Sequence, residues 1–160
     1  MSERFEKNLI TLEKDTHKYI LSSSPSTKFV SVTKIVEKFF QKFDSNKIAE
    51  KLINNYPKYS NYTIESLINE WDEKARHGTE VHDQIEKWIK FGTNPYEKKA
   101  IHGKNWLEKY KSSSDFKVFS EIIIYSIDLS IAGTIDVIAK DKKNGWFDII
   151  DWKTSKKIDF

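Results

Sequence analysis

Residues 131–153, IAGTIDVIAKDKKNGWFDIIDWK, constrain this chain more than any other stretch. Two runs rich in β-branched and apolar residues, 129–140 and 146–154, flank Lys-Lys-Asn-Gly. Asn144-Gly145 between such runs is a hairpin signal, because both residues tolerate the positive φ of a tight turn. With residues 142–145 as the loop and Asp141 facing Trp146, the pairs step along both strands until Asp136 lies opposite Asp151. Directly opposed side chains have Cβ atoms about 4.5–5.5 Å apart. Two carboxylates that close repel, so one takes up a proton or a cation sits between them. Lys153 follows Asp151 by two residues, and strand alternation sends both to one face. The hairpin is thus predicted to present two carboxylates and an ammonium at one point.

The longest periodic segment covers residues 63–91. Ile64, Leu67, Ile68, Trp71, Ala75, Val81, Ile85, Trp88 and Ile89 recur at spacings of three and four, which predicts one helix with a continuous apolar stripe. Gly78 and His82 lie at the edge of that stripe, and Glu86 stands one turn beyond His82. A histidine in such a place is ordinarily a satisfied core residue, and helix solvation is the plain reading of Glu86.

Upstream, residues 1–16 are polar and carry little signal. HKYIL and KFVSV flank the Ser/Pro-rich residues 22–27 and read as a second hairpin. Thr33 is placed to cap a helix over about residues 34–43, with Ile35, Val36, Phe39, Phe40 and Phe43 on one side. These aromatic residues are expected in the core rather than as stacking platforms. Asp44-Ser45 should start a short helix carrying Ile48, Leu52 and Ile53. Tyr56, Lys58, Tyr59 and Tyr62 interleave rings with ammonium groups, which suits single-stranded nucleic acid. A surface loop with half-buried tyrosines is the plainer alternative. Asn94-Pro95 reads as the cap and first position of a further helix, ended by Ser112 and its neighbours near residue 114. Residues 118–127 then form a strand with Glu121 at its head, and Ile122, Ile123 and Ile124 suggest burial on both faces.

The 160 residues are expected to form one α+β domain, with an N-terminal hairpin-and-helix unit over 1–62 and a core over 63–160. Strands 118–127, 129–140 and 146–154 would pack on the long helix. Without cysteine there are no disulfides and no thiolate zinc sites. No apolar run reaches about 18 residues and no secretory pattern opens the chain, which points to a soluble protein of the cytoplasm. A net charge of +3 permits nucleic-acid binding without requiring it. Arg4 and Arg76 are the only arginines, so phosphate contacts would fall to lysine point charges. The excess of Lys, Ile and Asn goes with an AT-rich genome, bacterial or viral.

GTIDVIA, the turn and IIDWKTSK resemble the catalytic hairpin of the PD-(D/E)xK nuclease superfamily. The closest look is to its RecB-like branch, which includes the mitochondrial genome maintenance exonuclease and viral relatives. The segment GTEVHDQIE, from Gly78 through His82 to Glu86, resembles the helix that precedes this hairpin there. The resemblance spans roughly residues 17–157 and implies a restriction-endonuclease-like core, a mixed or antiparallel sheet flanked by helices. It implies that Asp136 and Asp151 hold divalent metal, Mg2+ or Mn2+, and that Lys153 serves the hydrolytic step. His82 would be a further ligand, and the main-chain carbonyl of Trp152 another. Glu121 matches an acidic position on the first core strand, joining the metal shell or holding Lys153, and Glu86 is a supporting candidate.

The activity implied is metal-dependent DNA hydrolysis, an exonuclease on single-stranded or end-containing DNA in recombination, repair or viral replication. Tyr56, Lys58, Tyr59, Lys156 and Lys157 would then contact the DNA. RecB-like nucleases continue past the hairpin with a helix bearing Gln-x-x-x-Tyr and further strands, which nothing here matches. Two alternatives follow: a catalytically incomplete nucleic-acid-binding subunit, whose core a second chain completes, or a structural protein whose hairpin acids are ordinary surface residues.

Overall fold

A computed structural model describes residues 9–13, 15–112 and 115–155. In chain order the elements are β1 (Ile10–Glu13), β2 (Lys18–Leu21), β3 (Val30–Ser31), α1 (Val32–Glu37), α2 (Ser45–Asn55), α3 (Ile64–Phe91), α4 (Lys98–Ser112), β4 (Phe116–Ser126), β5 (Ile131–Asp141) and β6 (Phe147–Ile150). A short 3-10 turn, Pro57–Tyr59, links α2 to α3. The fold is α+β, a four-stranded mixed sheet and a two-stranded hairpin with helices packed on them. No helix among the described residues is long and apolar enough to cross a membrane.

The β5–β6 hairpin forms with the register read from its sequence. Lys140 pairs with Phe147 and Val137 with Ile150. Asp141 builds the turn: its Oδ1 accepts the Lys143 and Asn144 amides at 2.7 and 2.8 Å. Gly145 alone takes the positive φ there, at 74°. The ladder ends at Ile150, earlier than the run to residue 154 suggested. Beyond it Asp136 Oδ2 accepts the Trp152 amide at 2.8 Å, a side chain replacing the next backbone partner.

β4 lies antiparallel along the whole of β5, from Phe116 opposite Asp141 to Ser126 opposite Ile131. The other edge of β5 is shared. β3 takes its start in parallel at Ile131 and Ala132, and β6 takes its end, leaving residues 133–136 between them. α1 leaves from that gap. A Cβ on Gly133 would stand 2.9 Å from Cγ2 of Val32, so only glycine admits α1 this close.

α3 is the predicted long helix. Its cap is reciprocal, with Thr63 Oγ1 accepting the Ser66 amide and Ser66 Oγ accepting the Thr63 amide. Val81 and Ile85 pack with Ala100 of α4, against Ile89 and the Trp152 ring. Gln84, buried, accepts the Tyr96 and Glu97 amides at 2.9 Å each and ties the α3–α4 connection down. That tie moves the start of α4 from the expected Asn94-Pro95 to Lys98, where the Glu97 carboxylate accepts the Lys99 and Ala100 amides. Asn94 instead accepts a hydrogen bond from Lys104 at 2.8 Å.

The N-terminal third departs furthest from expectation. β2 pairs with β1, not with residues 28–32, because Ile10 and Leu12 supply an apolar strand separated from it by a short turn. Val30 and Ser31 are claimed by β5. Ser31, not Thr33, caps α1, which stops at Glu37. Phe39, Phe40 and Phe43 are 81%, 71% and 64% exposed rather than core. Ile122 and Ile123 are half-buried and Ile124 is exposed, so β4 is not covered on both faces there.

The close approach at Gly133 gives a direct test. Gly133→Ala should destabilise the protein by about 1–3 kcal/mol through overpacking. Val32→Ala in the same background should restore part of that loss, since the two sites share one contact. Urea titration of the four proteins of this cycle measures the coupling, and additive effects would show that the approach is looser than 2.9 Å implies.

Candidate metal centre

Three elements bring three ligand-type side chains together. In the β4–β5 register Ser120 faces Val137 and Ile122 faces Ile135, which sets Glu121 opposite Asp136. No ladder pair forms at Glu121 itself, whose φ is +51°. A left-handed backbone at a non-glycine residue inside a strand costs on the order of 1–3 kcal/mol and is characteristic of functional sites. α3 packs over β4 and places His82 beside the pair. One donor atom from each of His82, Glu121 and Asp136 lies within 4.8 Å of the others. His82 Nδ1 is 3.5 Å from Asp136 Oδ2, and all three residues are partly buried.

Charge concentrates there. Burial raises the Glu121 pKa above the ordinary carboxylate value, and the Glu86 and Asp136 carboxylates raise it further, against Lys90 and His82. Glu86 is held by Lys90 at 2.6 Å. One imidazole with two oxygen donors suits a hard or borderline divalent ion, magnesium or manganese, rather than a thiophilic one. His82 and Asp136 of this set are among the ligands expected from the sequence.

Asp151 is the difference. It does not join His82, Glu121 and Asp136; its carboxylate, 57% exposed, meets the Lys153 ammonium at 2.5 Å. The ladder ends one residue before it, and Asp136 Oδ2, the oxygen that faces His82, accepts the Trp152 amide. Of the Trp152 main chain it is the amide that meets Asp136. Lys153 has its pKa raised by the hydrogen bond to Asp151 and by the charges of Asp151 and Asp136, so Asp136 and Lys153 share one field. Glu121, a secondary candidate in the sequence, is a full member of the cluster. The β4–β5 register was the signal for it, since pairing across residues 127–130 sets it opposite Asp136.

Among the expected nucleic-acid contacts, Tyr56 is exposed, and the Lys58 ammonium lies 5.3 Å from the centre of the Tyr59 ring. Lys156 and Lys157 fall outside the described residues.

The raised pKa of Glu121 sets the sign of a pH effect. Ionised Glu121 costs the metal-free folded state stability above its folded pKa. The cost is relieved as pH falls through that value, and vanishes below about pH 4, where the unfolded carboxyl is also protonated. Glu121→Gln should thus raise the melting temperature of the chelated protein at neutral pH, with the gain shrinking towards pH 4. The same change should weaken manganese affinity at least about tenfold. Thermal melts with chelator and calorimetry with Mn2+ read the two opposite effects. Loss of stability together with unchanged affinity would mark Glu121 as structural.

Comparison of this chain with protein-family models, with curated proteins and with solved structures gave no match in any of the three.

Proposed function

We propose that this protein is a divalent-metal-dependent nuclease that hydrolyses DNA phosphodiesters. The observation that supports the reading is the convergence of His82, Glu121 and Asp136 from three separate elements, with Lys153 in the same electrostatic field. His82, Glu121 and Asp136 would hold the ion. When bound, such an ion lowers the pKa of a water and polarises a phosphoryl oxygen. The chain's own residues supply the rest. Lys153, kept cationic by Asp151 and Asp136, offsets the negative charge that grows on the phosphate in the transition state. Asp136 fixes the Trp152 amide and so the segment that carries Lys153. Asp151 serves as the counter-ion that aims Lys153. A restriction-endonuclease-like core and an exonuclease mode of action belong to the same proposal, by the resemblance of the hairpin.

A nucleic-acid-binding protein without turnover is the second reading, favoured by one observation, the position of Asp151 outside the cluster. Metal-dependent cleavage separates the two. On labelled single- and double-stranded DNA, the wild type should cut with Mn2+ and stop with chelator. Asp136→Asn should abolish both cleavage and Mn2+ binding. Lys153→Ala should lower the rate by about 10²–10³ while binding the ion normally, the size of effect that losing one positioned electrostatic group has. Asp151→Asn should slow cleavage with little change in affinity for the ion. An affinity loss equal to that of Asp136→Asn would return Asp151 to the ligand set, and a wild type that binds Mn2+ without cutting establishes the second reading.

A further inference from the structure

The segment after α1 reads Lys38-Phe39-Phe40-Gln41-Lys42-Phe43. All three phenylalanines stand outside the core, at 81%, 71% and 64% exposure. They are nevertheless held in place. The Lys38 amide donates to the Ile35 carbonyl at 3.1 Å, Phe39 to Val36 at 3.0 Å and Phe40 to Glu37 at 3.4 Å, so the turn continues α1. Phe43 stands edge-on to Trp71 of α3, centroids 5.7 Å apart. Among the described residues Phe39 and Phe40 have no ring partner and Lys38 and Lys42 no ion pair. Tyr59, by contrast, is already engaged by Lys58 and by Tyr62. Asp44, which follows the third ring in the chain, accepts the Lys47 amide as the cap of α2.

We infer that Phe39, Phe40 and Phe43, with Lys38 and Lys42, form a platform for single-stranded nucleic acid. Exposed aromatic faces set between ammonium groups match a strand that offers a flat base and a phosphate at every step. A dry protein interface fits poorly, because lysine is depleted from such interfaces. A duplex fits poorly as well, since its base faces are stacked on one another. The platform is tied to the metal centre by the backbone: α1 starts at Val32 against Gly133, in the strand that carries Asp136. The inference rests on the nuclease reading only for the site to which the strand would be delivered.

The test is fluorescence anisotropy of a short labelled oligothymidylate and a short labelled duplex, with the full chain in chelator. Phe39→Ala/Phe40→Ala should weaken oligothymidylate binding about tenfold or more, leave duplex binding unchanged and keep the salt dependence. Lys38→Gln/Lys42→Gln should weaken binding and flatten the salt dependence between about 50 and 200 mM. Manganese-dependent hydrolysis of bis(4-nitrophenyl) phosphate should be the same in both variants as in the wild type. If that small diester is untouched by the wild type while strand binding still depends on the rings, the platform stands and the nuclease reading falls. Unchanged oligothymidylate affinity in the phenylalanine variant overturns the platform. So does a wild type that fails to bind the strand, or one that self-associates through these rings and becomes monomeric without them.

Discussion

The carboxylate of Asp136 is where the separate parts of this fold meet. It accepts the Trp152 amide at 2.8 Å, stands 3.5 Å from the His82 imidazole and lies opposite Glu121 in the β4–β5 register. Each contact reaches a different element, so the position of one side chain is fixed by β5, α3, β4 and the segment after β6 together. The divided edge of β5 makes this possible. Were β3 or β6 to run the full length of that edge, backbone partners would occupy residues 133–136 and Asp136 would have no amide to capture. The gap is therefore as much a part of the site as the residues in it.

What that geometry costs the fold is visible at Glu121. A left-handed backbone in mid-strand and a partly buried carboxylate beside two others each work against stability. The ladder is regular on both sides of Glu121, at Ser120 and at Ile122. Local strain and like-charge crowding at one residue are more frequent at functional sites than in ordinary strands. Glu86 and Lys90 add to the same balance from α3, one acid and one base a turn apart, so the crowding is moderated and not removed.

How much of this could be read in the sequence varies with the range of the interaction responsible. The Asn144-Gly145 turn and the apolar spacing over residues 63–91 are local signals, and the β5–β6 pairing and the bounds of α3 follow from them. Two of the failures are cases in which a distant partner displaced a local one. Val30 and Ser31 look like the return strand of a hairpin from their neighbours alone, yet the edge of β5, about a hundred residues on, takes them. Asn94-Pro95 has the chemistry of a helix start, but Gln84 holds the next two amides and delays it. Phe39 and Phe40 look like core by hydrophobicity, and only the early stop of α1 leaves them outside. Of the expected ligands, the fold brings His82 and Asp136 together, with Glu121 beside them. Asp151 stands outside that group, because the ladder stops at Ile150 while the register on paper runs on. Glu121 could have been placed by the same register argument, applied to the turn at residues 127–130 instead of the one at 142–145.

A four-residue edge strand is a weak support for the segment that carries Lys153, since ladder bonds this few are marginal by themselves. Side chains add to the backbone at both ends of β6. At its start the Tyr110 hydroxyl donates to Asp148; burial, then this carboxylate, pushes the Tyr110 pKa up to about 12, so the proton stays in place through the neutral range. Past its end the Trp152 ring stands edge-on to Trp106, centroids 5.8 Å apart, and Trp106 stacks on Tyr110 at 5.2 Å. Tyr110 stacks in turn on Phe116 at the head of β4. Lys99 closes the run by donating to the Thr154 carbonyl at 2.6 Å. One face of α4 thus grips the strand before, behind and beyond its short ladder. The chain is free to leave the sheet after Ile150, and where it leaves, Asp136 and Lys153 come into one field.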